Sequence, residues 1–154
     1  MHDRQRAVTA GGAGGSRLAP SLVAAYRAAR YEVSGARPPF VLRVDEPSAA
    51  LAECHRGHAV RESAFLTAWN PGSVRLPPAV NAAAAARLEA RLLALGFRLL
   101  AGCAVDPAGA WQAEPSALVL GIGYREACDV AREYGQAGVL HAGADAVPRL
   151  VLLE

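Results

Sequence analysis

The length and composition of the chain predict one folded domain. Its 154 residues can bury a substantial hydrophobic core, and an apolar fraction of 53% with a charged fraction of 19% argues against a disordered chain. All 16 basic residues are arginine, but the formal net charge is only +2 and no basic cluster is present. The charge therefore gives no support for nucleic-acid binding.

Cysteine content and apolar runs bear on the compartment. Cys54, Cys103 and Cys128 are odd in number and widely spaced, which is unlike a secreted disulfide framework and predicts a reducing, cytoplasmic location. No apolar run approaches the roughly 20 residues of a membrane helix, so we expect no membrane association. Residues 1–18 are rich in glycine and lack the apolar segment of a secretory signal; we expect a disordered lead-in, followed by a single domain over 19–154.

The first part of the chain predicts one helix, a hairpin and a second helix. Residues 20–29 carry apolar side chains at helical spacing. Two β-type runs, 31–33 and 40–44, are separated by Ser-Gly-Ala-Arg-Pro-Pro, which favours a hairpin with a loose turn. Residues 48–57 begin with a serine that can cap a helix.

The segment 64–73 (Ala-Phe-Leu-Thr-Ala-Trp-Asn-Pro-Gly-Ser) predicts the end of a buried strand. Pro71 cannot donate to a β-ladder, so a strand that passes through Trp69 should stop there. Asn70 precedes a proline and is expected to be extended, whereas Gly72 permits a positive φ. Polar side chains placed where a strand meets a loop are common binding or catalytic groups.

The second half predicts two more helices and four more strands. After a loop over 74–80, Asn81 is placed to cap a helix over 82–95 that Gly96 ends, with Leu88, Leu92 and Leu95 forming its apolar stripe. The remaining predicted elements are strands at 97–105, 117–122, 139–142 and 150–153 and a helix at 124–134. The order α-β-β-α-β-α-β-β-α-β-β predicts an α+β fold, a single mixed β-sheet with helices packed on it.

Two short patterns could carry chemistry but have simpler interpretations. Cys54, which we expect to face inward from its helix, and His58 are at helical i, i+4 spacing. With His55 nearby, they could supply two zinc ligands. A structural zinc site needs four ligands, so we predict no metal. Gly121-Ile122-Gly123 joins a strand to a helix as a phosphate-binding turn would, but the fingerprint is incomplete and a plain tight turn is favoured.

Two further groups of residues remain open between function and architecture. Glu114 could be a general base with Ser116 as hydroxyl partner, or the two could anchor a loop over which Trp111 packs. Arg87 and Arg91 share a helix face and could receive an anion, although such pairs are more often solvated.

One ordered set of motifs resembles a known family. It comprises Phe65-Leu66-Thr67-Ala68-Trp69-Asn70-Pro71-x-Ser73, then Asn81, then Trp111-x-x-Glu114-x-Ser116, then Tyr134-Gly135-Gln136. Together these residues resemble an uncharacterised bacterial family, domain of unknown function 3293, over about residues 26–152. The resemblance implies no activity, but it does imply that one functional or architectural cluster contains Thr67, Trp69, Asn70, Ser73, Glu114, Ser116 and Gln136.

Three hypotheses of function follow. The first is a pocket that would bind a small polar or anionic ligand, or act on it as an enzyme, at strand ends carrying Trp69, Asn70 and the 121–123 turn. In this hypothesis the side-chain amides of Asn70 and Gln136 hydrogen-bond to the polar edge of the ligand, and Arg87 binds an anionic group on it. If packed core separates Asn70 from Gln136, the hypothesis is wrong. The second is a protein- or nucleic-acid-interaction module without catalysis, and the third assigns every polar motif to caps and turns. The sequence names no cofactor, catalytic residue or oligomeric state.

Overall fold

The structure, a computed structural model, describes residues 18–153; the disordered lead-in predicted for 1–18 therefore lies almost wholly outside the described residues. The described part contains four helices and seven strands in the predicted order. They are α1 (Pro20–Ala28), β1 (Arg30–Val33), β2 (Phe40–Leu42), α2 (Ala49–Gly57), β3 (Ser63–Leu66), α3 (Pro78–Ala94), β4 (Arg98–Val105), β5 (Glu114–Leu120), α4 (Tyr124–Glu133), β6 (Gly138–Ala142) and β7 (Arg149–Leu152).

All seven strands form one sheet in the order β2-β1-β4-β5-β3-β6-β7, which confirms the single-sheet α+β prediction. The prediction of a mixed sheet needs one correction, because every neighbouring pair of these strands is antiparallel. The helices α3 and α4 do join strands of the same direction, β3 to β4 and β5 to β6. In each case an antiparallel strand lies between the two, so they never become neighbours.

One face of the sheet is closed by α3 and α4. Leu88 and Leu92 of α3 pack with Val119 of β5 and with the apolar residues of α4 in one buried cluster. The predicted stripe is correct for these two leucines but wrong for Leu95, which is 51% exposed because α3 ends one residue earlier and turns at Gly96 (φ 91°).

The opposite face carries a second apolar cluster under α2 and the β1–β2 hairpin. Leu51 of α2 is fully buried there with Leu118 of β5 and Phe65 of β3. Ser48 caps α2 as predicted, its hydroxyl accepting from the Leu51 amide at 3.0 Å. The α1 helix also lies on this side, but none of its residues is fully buried.

No helix within residues 18–153 combines the length and apolar character needed to cross a membrane.

Candidate functional site

The strand β3 ends at Leu66, three residues before the predicted end at Trp69. The early end of the strand coincides with hydrogen bonds made by the Thr67 hydroxyl. It donates to the Pro115 carbonyl at 2.8 Å and accepts from the Trp69 amide at 3.0 Å. The chain therefore leaves the sheet at Thr67 while remaining tied to the start of β5.

Asn70 adopts the left-handed conformation (φ 48°, ψ 65°), so the prediction of an extended residue before Pro71 is wrong. Hydrogen bonds through its side chain stabilise this conformation. The Oδ1 atom accepts from the Leu76 amide at 3.0 Å and from Asn81 Nδ2 at 2.7 Å. Asparagine tolerates this region better than most residues because its short amide bonds locally. Gly72 has the positive φ (65°) that was predicted.

Asn81 is not the cap of α3, contrary to the prediction. The helix begins at Pro78, whose fixed φ suits the first helical position, and this puts Asn81 inside the first turn. Its side chain is 1% exposed, and its Oδ1 accepts from the Asn70 amide at 2.9 Å. The two asparagines thus exchange hydrogen bonds and lock the β3–α3 connection onto α3.

The end of α4 packs against the same connection. Gly135 has φ 67°, as expected for a helix-ending glycine, and its carbonyl accepts from the Gly72 amide at 2.7 Å. Gln136 Nε2 donates to the Trp69 carbonyl at 3.2 Å and to the Tyr134 carbonyl at 3.3 Å. Asn70 and Gln136 are therefore on either side of one short connection rather than separated by packed core.

Glu114 and Ser116 lie in β5 itself, which begins earlier than the strand predicted at 117–122. The register places Glu114 beside Ala104, which in turn lies beside Tyr31, so these three residues form a row on the α2 side of the sheet. Glu114 is partly buried, and its Oε1 accepts from Asn70 Nδ2 at 3.3 Å. Burial raises the pKa of the Glu114 carboxyl, and the hydrogen bond from Asn70 partly opposes that rise.

The α1 helix approaches this row through Tyr26. Its hydroxyl lies 3.2 Å from Ser73 Oγ, and its backbone carbonyl accepts from the Tyr31 hydroxyl at 2.7 Å. Burial raises the pKa of both tyrosines. The hydroxyls therefore remain protonated donors near neutral pH.

These elements enclose a cavity of about 490 Å³ between α1, the β3–α3 connection and the start of β5. Seven of the eight predicted ligand-binding residues line it: Thr67, Trp69, Asn70, Ser73, Glu114, Ser116 and Gln136. Trp111 also lines it, in keeping with its predicted position over this segment. Sequence reasoning missed the lining residues Tyr26, Tyr31 and Arg75. Only the placement of α1 and the register of β1 bring the two tyrosines here, and no local pattern carried that information. Arg75 lies in the β3–α3 connection itself, after Asn70.

Arg87 is the predicted site residue that lies elsewhere. It is exposed on α3, beside a shallow depression that it shares with Glu133 and Tyr134. Its helix covers the closed face of the sheet, whereas the cavity opens on the other side. Arg91, its partner in the sequence argument, forms an ion pair with Glu133.

The 121–123 turn also lies away from the cavity. In the antiparallel β3–β5 pair, Leu66 is opposite Ala117 whereas Ser63 is opposite Leu120. The residues that follow β5 are therefore at the opposite end of the sheet from Trp69 and Asn70. Gly121 (φ 87°) forms a turn whose amide donates to the Glu62 carbonyl at 2.8 Å, and Gly123 precedes the first residue of α4.

The cysteine and histidines in and just after α2 form local contacts, with Cys54 Sγ 3.8 Å from His58 Nδ1. Cys54 is partly buried against the cluster that contains Leu51, in keeping with its predicted inward orientation. His55 is the more deeply buried residue, and its Nε2 lies 2.8 Å from Ser63 Oγ. His58 Nδ1 lies 3.0 Å from the Cys54 carbonyl. Within residues 18–153 no three acidic, histidine or cysteine side chains are grouped so that they could hold a metal ion.

The fold and this cavity define an α+β domain with one antiparallel sheet and a concave site on its less covered face. Residues 66–139, somewhat less than half of the chain, match the model of the family described as protein of unknown function (DUF3293). The resemblance carried by the motifs is thereby confirmed, over a shorter stretch than the motifs indicated. No curated protein and no solved structure matches the chain.

Proposed function

We propose that the chain is a small-ligand-binding domain whose ligand occupies the cavity beside Trp69, Asn70 and Glu114. The observation that supports this most directly is the concentration of side chains at one concave site. Small-molecule pockets are typically concave and combine apolar and aromatic walls with convergent polar groups. Both kinds of side chain line this cavity, and its volume of about 490 Å³ is of the usual size.

The polar residues divide into two groups by what they already bind. Asn70, Asn81 and Thr67 satisfy one another and the nearby backbone, so their main contribution is to hold the cavity in shape. Glu114 and Gln136 each keep an oxygen, Oε2 and Oε1 respectively, without a protein partner among residues 18–153. These two oxygens are the groups that a ligand would meet. Arg87 lies outside the cavity, so the proposal keeps a polar ligand and drops the anionic ligand that Arg87 was expected to bind.

The alternative, a protein- or nucleic-acid-interaction module without catalysis, predicts a flat surface of arginine and aromatic side chains. Here five aromatic residues line a concave site instead: Tyr26, Tyr31, Phe65, Trp69 and Trp111. A cytoplasmic location in a bacterium is also part of the proposal. It is supported by Cys54, Cys103 and Cys128, which are all free thiols.

A thermal-shift screen of the purified chain against nucleosides, sugars and small amines tests this function. A ligand that binds only the folded state raises the melting temperature, and the rise grows with the logarithm of ligand concentration over Kd. The variant Ala110→Trp fills the rim of the cavity from an exposed lining position and should abolish the shift.

The matched control is Ala108→Trp, which adds the same ring to the same loop outside the cavity lining and should retain the shift. A ligand whose shift is equal in both variants binds elsewhere and contradicts the proposal.

A further inference from the structure

The charges that line the cavity are unequal in their exposure. Glu114 is partly buried in the wall, whereas Arg75 lines the rim with an exposed side chain. No arginine or histidine within residues 18–153 forms an ion pair with Glu114, whose one resolved side-chain partner is the neutral amide of Asn70. A carboxylate withdrawn from water is normally paired with a cation.

Aromatic rings line the same cavity as this unpaired carboxylate. Both tryptophans of the chain, two of its four tyrosines and one of its three phenylalanines line the cavity. Tyr31 and Phe65 form its floor as an edge-to-face pair, with ring centroids 5.3 Å apart and planes at 81°. The faces of aromatic rings attract cations through their quadrupole, and Trp and Tyr do so most strongly.

The register keeps the acid and the rings in fixed relation. Glu114, Ala104 and Tyr31 are in one cross-strand row, and Phe65 lies opposite Leu118 on the same face. The absence of a side chain at Gly102 leaves room for the Phe65 ring, because a Cβ at position 102 would lie 2.8 Å from Cε2 of the ring. An acid and aromatic walls held together by a sheet form a rigid receptor.

From this juxtaposition we infer that the cavity binds a small organic cation, a protonated amine on a compact apolar body, with Glu114 as its counter-ion. The inference rests on the proposed function and specifies its ligand class. An anionic ligand would place its charge beside a desolvated carboxylate and meet only the exposed guanidinium of Arg75, which solvent screens.

The protonation of Glu114 gives the binding a defined pH dependence. A bound cation favours the carboxylate, and burial raises the pKa of Glu114, so affinity falls as the pH is lowered through that pKa. The other titratable groups near it are Tyr26 of α1, Tyr31 of β1 and Cys103 of β4. Burial raises the pKa of each of them, and all three stay neutral across the acidic range.

Calorimetric titration with three ligands that share one ring tests the inference: benzylamine, benzyl alcohol and benzoate. At pH 7.5 we expect benzylamine to bind about tenfold more tightly than benzyl alcohol, as a desolvated cation among aromatic rings implies. Benzoate should bind most weakly. Lowering the pH should weaken binding of benzylamine, which stays protonated, and leave benzyl alcohol unaffected.

The variant Glu114→Gln keeps the side-chain shape and the acceptor for Asn70, and it should reduce the preference for benzylamine over benzyl alcohol to less than about twofold. The control Glu89→Gln removes the same charge from an exposed position on α3 and should preserve the preference.

The outcomes separate this inference from the proposed function. If benzyl alcohol or benzoate binds as tightly as benzylamine and Ala110→Trp abolishes that binding, the pocket proposal is supported and the inference of a cationic ligand is wrong. A preference for benzylamine that persists in Glu114→Gln also overturns the inference. If none of the three ligands binds at tens of millimolar concentration, the inference of a cationic ligand fails, and the thermal-shift screen decides the pocket proposal separately.

Discussion

The two faces of the sheet differ in how completely helices cover them. On one face α3 and α4 bury Leu92, Val119 and Ile122 to 0% exposure. On the other face α2 covers only part of the sheet, and α1 contributes no fully buried residue. The same β-strands supply apolar side chains to both faces, so the cavity arises from the helices and not from the sheet. The closed face provides stability, and the partly covered face leaves room for a ligand.

The largest expected effect contrasts one leucine from each face. Leu92→Ala in α3 should lower the free energy of unfolding by about 2 to 5 kcal/mol, because the fully buried site cannot collapse around the lost atoms. Leu22→Ala in α1 removes the same atoms from a cavity wall and should cost less than about 1 kcal/mol. Urea denaturation measures both, and equal costs would contradict the contrast between the faces.

The next effect concerns the asparagine pair at the rim of the cavity. Asn81→Ala should destabilise the protein by about 2 to 3 kcal/mol, because it removes a partner from both the backbone amide and the side-chain Oδ1 of the partly buried Asn70. Val80→Ala, one residue earlier in the same turn and 49% exposed, is the control and should change stability by less than about 0.5 kcal/mol. Similar melting temperatures for both variants would show that the pair is dispensable.

The docking of α4 on the β3–α3 connection gives a smaller effect. Gly135→Ala should cost about 1 to 2 kcal/mol, because φ is 67° and the added Cβ would lie 2.9 Å from Pro71 Cβ. Gly57→Ala has nothing within 4 Å of its added Cβ, and there we expect no loss. Thermal unfolding compares the two. A Gly135→Ala variant as stable as Gly57→Ala would mean that the connection adjusts freely.

The smallest expected effect is the pH dependence of Glu114. Burial raises its pKa in the folded state above the unfolded value of about 4.3, so the folded state takes up the proton first as the pH falls. The charged carboxylate therefore disfavours folding at neutral pH, and acidification relieves this. Glu114→Gln should raise the melting temperature slightly at pH 7, and the gain should vanish below the unfolded pKa.

Exposed Glu89→Gln serves as the control for Glu114→Gln, with no pH-dependent gain expected. A melting temperature for Glu114→Gln that is lower than that of the unsubstituted chain at pH 7 would mean that Glu114 is paired in the folded state, contrary to its position here.

The sequence determined the element order, the single sheet and the helix-ending glycines at 96 and 135, because these depend on hydrophobic periodicity and on local φ preferences. It also brought seven of the eight site residues together through their motifs. Only the tertiary structure decided that Arg87 lies on the wrong face, that the 121–123 turn is at the far end of the sheet, and that Tyr26 and Tyr31 line the cavity. Strand order and helix placement follow from long-range packing, and a local pattern carries no information about which distant segment will become its neighbour.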